Sequence, residues 1–327
     1  MNKVIIRTLG GKAIGYGHYY RCLSLAKAIQ LIEKDIDIIF LVNQELENLI
    51  SKTKFKFMIS NDLDEDNKKI YRLYGNLFIF DSYLGNNEYL KEIKKRFKLM
   101  LIDDNNDIYD SSIPDIIYNG NIYSQKLNYN DYQGQLKLLG SKYLIMKEEY
   151  WNISSTEHTD RKGILVTTGG TDEYEISLKI IDEIKDLNSK IKVIIGPGYK
   201  ENYIKKIKNL NKENMELIYK PDSLKDYIAS SEIIITAGGS TVYEILSQRR
   251  IPIIFSMADN QDLICRELNL MGVEFLGKYP KIEYNRLKQI IYKLQLKRSK
   301  LSGNIFNMIN NRGAILVAKE IIRYIKK

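Results

Sequence analysis

The sequence is poor in cysteine and histidine. Its 327 residues include two of each, and the cysteines, Cys22 and Cys265, lie far apart in the chain. Two such distant cysteines do not indicate a disulfide scaffold or a cysteine metal site, so both thiols are expected to be reduced and partly buried. Of the two histidines, His158 lies in a polar segment with no partner pattern around it. His18 is therefore the candidate reagent.

Long apolar stretches are also missing. No apolar run approaches the ~18 residues that a membrane span needs, so stable insertion into a membrane is not expected. The first residues, MNKVIIRTLGG, contain no signal-peptide core because Arg7 interrupts the apolar run. These two absences predict a soluble, cytoplasmic protein.

Charge of one sign is nowhere concentrated. The chain has 50 Lys and Arg and 41 Asp and Glu, which gives a net charge of +9, but the two signs are interleaved. A mild positive field suits an anionic metabolite such as a nucleotide. The sequence contains no zinc knuckle and no strongly basic helix, so nucleic acid is not the expected partner. Nothing marks a subunit interface, and a monomer is expected.

Two α/β domains are predicted from an alternation of apolar strands and helical segments, which indicates parallel sheets covered on both faces. A polar stretch interrupts the alternation, so we expect domains at 1–155 and 156–327, with the last helix (305–327) a candidate to pack on the first domain. Ligands are expected in a cleft between the domains, beyond the carboxyl ends of the strands. The predicted strands are 3–8, 35–42, FKFMIS, NLFIFDS, KLMLIDD, 115–120, 163–168, 192–196, 216–220, 232–237 and 251–256.

The loop TLGGKAIGYGH follows the first strand and is rich in glycine. Its spacing does not fit a dinucleotide site, the second strand ends at Asn43 and not at an acid, and the Gly-Lys-Ser/Thr of a Walker A loop is absent. The loop therefore sets His18 at a helix start. Because a helix N-terminus disfavours imidazolium, His18 is expected to be neutral and able to accept a proton. Capping or packing at the helix start is the alternative.

Two loops of the second half, TTGGTDEYE (167–175) and ITAGGSTVYEIL (235–246), each place Gly-Gly and a hydroxyl residue at a predicted helix start. Unpaired N–H groups and the helix dipole attract phosphate oxygens there. Gly239, Ser240 and Thr241 are therefore predicted to hold a diphosphate. Glu244, on the next turn, could accept hydrogen bonds from a ribose. Ordinary N-capping by Ser240 or Thr241 is the alternative.

The stretch SMADNQDLICREL begins another predicted helix. The amides of Asn260 and Gln261 could bind the hydroxyl groups of a sugar at this position. Helix capping by Asp259 is the alternative, because aspartate is a preferred N-cap residue.

Acidic residues end two strands of the first half, in FDSY and LIDDNND. Asp81, Tyr83, Asp103 and Asp104 are expected at the same sheet edge as His18. Paired acids can bind Mg²⁺, or they can cap loops, and capping is the commoner role. The roles of the three aspartates stay open at this point, and no metal site is predicted.

Together the motifs resemble those of a known family. IGYGHYYRCLSLA, FDSY, LIDDNND, LLGSKYLIMKEEY, ILVTTGGTD, ITAGGSTVYEIL and ADNQ follow one another across nearly the whole chain. Their order is similar to that in the UDP-sugar hydrolases of pseudaminic acid biosynthesis, which release UDP from UDP-2,4-diacetamido-2,4,6-trideoxy-β-L-altropyranose. The resemblance implies an α/β protein of the GT-B fold, with two Rossmann-like α/β/α domains facing a central cleft.

The resemblance also implies roles for single residues. His18 would be the general base that activates water for attack on the anomeric carbon, with inversion. No cofactor or metal is required, because UDP is a good leaving group and helix N-termini can stabilise the departing diphosphate. The implied sugar contacts are Gly17, Arg21, Tyr83, Asn260 and Gln261, and the implied UDP contacts are Gly170, Thr171, Gly239, Ser240, Thr241 and Glu244.

The sequence departs from the family at Leu9, Gly10 and Gly11, where an Asp-Ala-Ser-like stretch is common beside the reacting sugar. The identity of the sugar is therefore open. A related spore-coat and surface-polysaccharide group also carries G-x-G-H-x-x-R and includes presumed glycosyltransferases. A UDP-sugar hydrolase is the first hypothesis, a glycosyltransferase the second, and a non-catalytic nucleotide-sugar-binding module the third. An apolar, basic acceptor face would favour the transferase, and the first half shows no clear apolar patch.

Overall fold

A computed structural model of the protein describes residues 3–12, 14–153, 161–210, 212–250, 252–296 and 303–326, without the side chains at 260, 303 and 304. His158 lies outside the described residues. The chain divides into two compact units. Unit 1 comprises Met1–Trp151 and Asn310–Lys327, and unit 2 comprises Asn152–Ile309.

Unit 1 is built on a parallel sheet with an apolar core on each face. In its first strand Val4 and Ile6 pack into one cluster, whereas Ile5 packs into the other. Strands buried on both faces are apolar throughout, which is why their sequences were recognisable. Within the described residues the strands are β1 (Lys3–Thr8), β2 (Asp37–Val42), β3 (Lys56–Ile59), β4 (Leu77–Asp81), β5 (Lys98–Ile102), β6 (Ile116–Asn119) and β7 (Leu136–Leu139), in the order β3-β2-β1-β4-β5-β6-β7.

Helices connect these strands, and two of them begin at typical N-cap residues. Asp62 accepts a hydrogen bond from the backbone N–H of Glu65 at 2.8 Å, and Asn86 accepts one from Tyr89 at 2.8 Å. Such caps satisfy N–H groups that have no partner inside the helix. The helices of this part of the chain are α1 (Gly17–Ile32), α2 (Glu47–Ile50), α3 (Leu63–Ile70) and α4 (Asn87–Lys94).

Unit 2 is built on a second parallel sheet, over an apolar cluster that is rich in isoleucine. Its described strands are β8 (Ile164–Thr167), β9 (Ile191–Ile195), β10 (Met215–Tyr219), β11 (Ile233–Ala237), β12 (Pro252–Ser256) and β13 (Phe275–Lys278), in the order β10-β9-β8-β11-β12-β13. The remaining helices are α5 (Ile176–Ile184), α6 (Glu201–Asn209), α7 (Lys225–Ser230), α8 (Ser240–Ser247), α9 (Asp259–Leu270), α10 (Leu287–Leu296), α11 (Gly303–Asn307) and α12 (Gly313–Lys326).

The last helix, α12, belongs to unit 1. Its residues Val317 and Ile321 are fully buried in the same core cluster as Leu25 and Ile29 of α1. The sequence-based boundary put residues 156–327 in the second domain. It named the last helix as a candidate to pack on the first domain. The contacts instead divide the chain after Trp151 and return it to unit 1 at Asn310, because the apolar face of α12 is covered by α1.

The predicted strands are present within two residues at each end, and the predicted α/β class is confirmed. Two strands were missed, β7 and β13. Both are four-residue edge strands that are only partly buried, so they lack a continuous apolar run. The predicted helix over 305–327 is two helices, because Asn310 accepts a hydrogen bond from the N–H of Gly313 at 2.9 Å in a turn. Among the described helices, none combines the length and apolar character needed to cross a membrane.

Candidate active site

The glycine loop before α1 is held by residues that follow β2. Asn43 accepts a hydrogen bond from the N–H of Gly10 at 3.1 Å and donates one to its carbonyl oxygen at 2.8 Å. A Cβ on Gly11 would lie 2.4 Å from a carboxylate oxygen of Glu45. Gly11 also pairs with Gly15 through two backbone hydrogen bonds of 3.0 and 2.7 Å. The contacts with Asn43 and the pairing of Gly11 with Gly15 thus hold the loop in place and fix where α1 begins.

His18 is bound by a carboxylate and does not cap the helix. Its Nδ1 lies 2.6 Å from Oδ1 of Asp81, the last residue of β4. The N-cap of α1 is Tyr16, and it has no side-chain cap. Because Asp81 can only accept, the neutral imidazole carries its proton on Nδ1 and presents the lone pair of Nε2. The His18 side chain is 14% exposed, and the ring of Tyr83 meets it edge-on with a 5.0 Å centroid distance.

The pKa of His18 is raised, whereas the position at a helix N-terminus was expected to lower it by disfavouring imidazolium. Burial lowers this pKa, but the charge and the hydrogen bond of Asp81 together outweigh burial, so the net pKa is raised. Helix-dipole reasoning considered α1 alone and missed a buried carboxylate contributed by β4. Burial raises the pKa of Asp81, yet Arg21 and His18 together hold it well below its usual range. Asp81 is therefore ionised whether or not His18 carries a second proton.

Arg21 lies one helical turn after His18 and binds two carboxylates. Its Nε and Nη2 donate to Asp81 at 3.0 and 2.8 Å, and its Nη1 and Nη2 donate to Asp104 at 2.8 and 3.1 Å. Such paired contacts match the fork geometry of guanidinium. Burial lowers the pKa of Arg21, but Asp104 and Asp81 raise it well above its usual value. The predicted sugar contact of Arg21 stays a prediction, because most of its donors are engaged by these aspartates.

The three aspartates have different roles. Asp103 caps its own loop, because its Oδ1 accepts from the N–H groups of Asn105 and Asn106 at 3.1 and 2.9 Å, and burial raises its pKa. Asp81 and Asp104 instead hold Arg21 between them. In the part of the chain that the structure describes, no group of three or more His, Cys, Asp or Glu side chains is arranged to hold a metal ion.

Two asparagines that the sequence did not single out complete this network. Asn119, which is fully buried, donates through Nδ2 to the carbonyl oxygen of Asp104 at 2.9 Å. Asn121 donates to Oδ1 of Asp104 at 3.2 Å. Polar residues at a strand end, in DIIYNGN, are the signal that could have indicated them. They fix the Asp104 loop against the end of β6.

Tyr83 and Gly17 border the imidazole from the solvent side. The Tyr83 hydroxyl donates to Oδ2 of Asp104 at 3.3 Å, and the residue is 52% exposed. Burial of the hydroxyl and the nearby Asp104 raise its pKa. A Cβ on Gly17 would meet no atom within 4 Å. Both residues are accessible to a ligand, and their predicted sugar contacts stay predictions.

In unit 2, Gly239, Ser240 and Thr241 stand where α8 begins, and their predicted diphosphate contacts stay predictions. The N-cap of α8 is Gly239, with no side-chain cap, so capping by Ser240 or Thr241 does not occur. In the described parts of the chain neither hydroxyl has a hydrogen-bond partner. A Cβ on Gly238 would lie 2.2 Å from Sγ of Cys265, whereas one on Gly239 would meet nothing nearer than 4.0 Å. Gly239 thus faces open space and Gly238 faces the protein.

This contrast gives a matched pair of variants. Gly238→Ala is expected to lower the free energy of unfolding by about 1–3 kcal/mol, because its methyl group overpacks Cys265. Gly239→Ala is expected to lower the free energy of unfolding by no more than about 1 kcal/mol, because alanine is a poorer N-cap than glycine. If this loop holds the diphosphate as predicted, the variant should also weaken UDP binding about tenfold, by separating the diphosphate from the helix N–H groups. Thermal unfolding and titration calorimetry measure the two effects. Unchanged UDP affinity in a folded Gly239→Ala variant would place the diphosphate elsewhere.

The sequence predicted that the other glycine loop of unit 2 would open a helix, but the helix begins further along the chain. α5 begins at Ile176, and Asp172 already accepts from the N–H groups of Ile176 and Ser177 at 2.8 Å each. Gly170 and Thr171 are exposed in a loop before the helix. Their predicted UDP contacts stay predictions, but the N-terminus of α5 is satisfied by the protein itself. Local sequence could not show this, because the cap precedes the helix by four residues.

The loop before α9 is held by Gln261, whose Oε1 accepts from the N–H of Met257 at 2.9 Å. The N-cap is Ala258, so Asp259 does not cap the helix and instead pairs with Lys278. The side chain of Asn260 lies outside the described part of the structure. The sugar contacts of Asn260 and Gln261 stay predictions.

Glu244, the predicted ribose ligand, is 7% exposed in the middle of α8. A buried carboxylate so close to the loop before α8 needs polar partners. Its predicted contact with a ribose stays a prediction.

Comparison with known proteins begins with unit 2. Residues 164–319 match the Glycosyltransferase family 28 C-terminal domain. The chain is 27% identical over 303 residues to an uncharacterized protein of Methanocaldococcus jannaschii, a match that covers 88% of this chain and 61% of that relative. It is 24% identical over 294 residues to the UDP-2,4-diacetamido-2,4,6-trideoxy-beta-L-altropyranose hydrolase of Campylobacter jejuni, covering 85% of this chain and 100% of the relative. The chain thus spans less than two thirds of the archaeal relative.

Solved structures resemble the whole chain at low identity. MurG of Acinetobacter baumannii has a TM-score of 0.65 at 12% identity, with 100% of this chain and 99% of that chain covered. The glycotransferase of kitacinnamycin has a TM-score of 0.72 at 10% identity, covering 99% and 98%. Arabidopsis thaliana UGT89C1, solved with UDP, has a TM-score of 0.65 at 10% identity, covering 100% and 96%. The two parallel-sheet α/β units of this chain therefore have the GT-B fold of these glycosyltransferases.

Proposed function

We propose that the protein transfers a glycosyl group from a nucleotide-diphosphate sugar, with UDP as the nucleotide, to an acceptor hydroxyl group. The observation that carries the proposal is the imidazole of His18, which Asp81 holds through Nδ1 at 2.6 Å so that Nε2 can accept a proton. The GT-B fold and the family 28 match over residues 164–319 support a nucleotide-sugar donor.

A single general base, His18, is enough to balance the transfer reaction. The acceptor oxygen attacks the anomeric carbon and forms the new C–O bond, and its proton passes to Nε2 of His18. The bond from the anomeric carbon to the diphosphate oxygen breaks, and UDP leaves with the electron pair. Attack opposite to the leaving group inverts the anomeric carbon. Asp81 stabilises the imidazolium that forms, as in other carboxylate–histidine pairs.

Exposed apolar side chains near His18 favour a transferase over a hydrolase. Ile14 is 47% exposed and Tyr16 is 38% exposed in the loop before α1, and Tyr83 is 52% exposed in the loop that follows β4. The sequence had suggested no apolar patch in this half. Water as acceptor needs no surface beyond the one that binds the donor sugar, whereas a larger acceptor molecule must also be bound beside the base.

Hydrolysis is the second candidate, favoured by the match to the Campylobacter jejuni hydrolase over that relative's full length. The same base would take a proton from water, and the products would be UDP and a free diacetamido-trideoxyhexose. The base and the leaving group are shared by the two reactions, so only the acceptor distinguishes them.

The deciding experiment offers a panel of UDP-sugars, including UDP-diacetamido-trideoxyhexoses, with and without saccharide acceptors. Release of UDP and the product anomer are followed by NMR. The transferase predicts UDP release that depends on an acceptor, with little release in water alone. Equal release with and without acceptor, together with free sugar, would establish the hydrolase. UDP binding without turnover of any sugar would contradict both.

A further inference from the structure

Cys22 is a buried thiol that has no part in the proposed mechanism, although it contacts one of the groups in it. The residue is fully buried on α1, and its Sγ lies 3.4 Å from Oδ2 of Asp81. A buried cysteine often serves as a small apolar side chain, and its core neighbours Leu25 and Ala26 fit that role. Apolar packing does not explain why the thiol lies against a carboxylate, which is a hydrogen-bond acceptor.

The carboxylate of Asp81 is bound from a single face of α1. Its Oδ1 contacts Nδ1 of His18 at 2.6 Å and Nη2 of Arg21 at 2.8 Å. Its Oδ2 contacts Nε of Arg21 at 3.0 Å and Sγ of Cys22 at 3.4 Å. Residues 18, 21 and 22 share a helix face because they are three and four positions apart. Cys22 therefore supplies the second contact of Oδ2, which otherwise depends on Arg21.

The thiol of Cys22 donates in this contact because it keeps its proton. Burial and the charge of Asp81 raise the pKa of Cys22 well above its usual value. Asp81 is ionised, and an ionised carboxylate can only accept. A thiol is a weak donor, but a charged acceptor inside a protein strengthens the bond.

Arg21 is a shared partner of Asp81, whereas Cys22 lies wholly in the core. The guanidinium of Arg21 also donates to Asp104 at 2.8 and 3.1 Å, and Asp104 lies in the loop after β5 with its side chain 20% exposed. A shift of that loop would act on Arg21 and, through it, on Asp81. The contact from Cys22 does not involve the loop, so it can hold the carboxylate independently of Asp104.

We propose that Cys22 is a positioning residue, whose S–H group holds Oδ2 of Asp81 so that Oδ1 stays against Nδ1 of His18. The inference rests on the proposed function, in which His18 is the base. Cys22 is buried away from the reacting atoms and acts through Asp81. Its loss should therefore weaken the stabilisation of the imidazolium without affecting the binding of substrate.

The matched pair Cys22→Ser and Cys22→Ala separates hydrogen-bond donation from packing. The two new side chains differ by one hydroxyl group, which can donate to Oδ2. We expect Cys22→Ser to keep kcat within about threefold of wild type and Cys22→Ala to lower it about tenfold, the effect of losing one hydrogen bond to a charged group. KM should stay within about twofold in both variants. A packing role predicts the reverse order, because a buried hydroxyl without a partner costs free energy.

NMR titration of His18 gives a second readout, which needs no substrate. The chain has two histidines, so a His158→Gln variant identifies the ring signals of His18. Three charged groups and one tyrosine face the imidazole, namely Asp81, Arg21, Asp104 and Tyr83. In Cys22→Ala we expect the pKa of His18 to fall below the wild-type value, because a displaced Asp81 opposes the effect of burial less strongly. In Cys22→Ser this pKa should stay at the wild-type value.

Ser24→Ala is the control on the same helix. Ser24 is buried two residues after Cys22 and so lies on a different helix face. The control should leave kcat and the pKa of His18 unchanged, and thermal unfolding checks that every variant is folded.

Two results would overturn the proposal. One is a folded Cys22→Ala protein in which the pKa of His18 is unchanged or raised, and the other is a Cys22→Ser protein that loses as much activity as Cys22→Ala. A wild-type protein that turned over no nucleotide sugar would instead contradict the proposed function. The NMR titration would still decide whether Cys22 holds Asp81 against His18.

Discussion

His18→Ala is expected to lower the turnover of the nucleotide sugar by about 10²–10⁴-fold, the range for loss of a general base. UDP affinity should stay within about twofold of wild type, because the predicted diphosphate loop belongs to unit 2 and His18 belongs to unit 1. Turnover is measured as UDP release, and UDP binding is measured by calorimetry. The two readouts separate the loss of a base from the loss of the binding site.

Tyr20→Ala is the matched control for this variant. Tyr20 lies on α1 two residues after His18, is 37% exposed, and packs against Tyr19. The control should keep turnover near the wild-type level. Turnover of the His18→Ala protein at the wild-type level would show that another group takes the proton, and the proposed mechanism would then be wrong.

Asp81→Asn is expected to lower turnover by about 10²-fold or more, because an uncharged amide no longer stabilises the imidazolium. It should also change the pH dependence. In the wild type the pKa of His18 is raised, so the active neutral form accumulates only as pH rises above the ordinary histidine value of about 6.5. Without the Asp81 charge, burial and Arg21 both lower this pKa. The acidic limb of the pH profile of turnover should therefore move to lower pH.

The pH profile of kcat/KM, measured from pH 5 to pH 9, tests both effects. Asp107→Asn is the control, since Asp107 is an exposed carboxylate in the loop after β5, and it should leave the acidic limb in place. Thermal unfolding checks that the asparagine at 81 still permits folding beside Arg21. A limb that stays unshifted in a folded Asp81→Asn protein would contradict the assignment of the limb to His18.

Arg21 explains how a buried carboxylate can serve His18 without taking its proton. A carboxylate buried without a cation would have a raised pKa and would share the proton of the imidazole. Arg21 bonds both oxygens of Asp81, which keeps that group ionised. The arginine therefore positions Asp81, and Asp81 positions His18.

The sequence by itself determined the α/β class, most strands and the glycine loops. Strands buried on both faces must be apolar along their whole length, and loops that approach a ligand closely must contain glycine, so both leave a local signal. It also singled out His18 and the Gly239 loop as candidates, because a histidine or a Gly-Gly-Ser after a strand is visible within a few residues, but whether the loop was capped stayed open. Short edge strands such as β7 left no such signal because three of the four residues of β7 are only partly buried.

Only the tertiary structure decided what surrounds these residues. Asp81 and Asp104 lie 63 and 83 residues along the chain from the groups that they bind, His18 and Arg21, and neighbouring parallel strands bring them together. The pKa of His18 depends on that encounter, which is why reasoning from α1 alone gave the wrong direction. The packing of α12 on unit 1 likewise depends on contacts between residues that are far apart in the chain. An amphipathic helix shows in its sequence that one face will be buried, but not which surface will cover it.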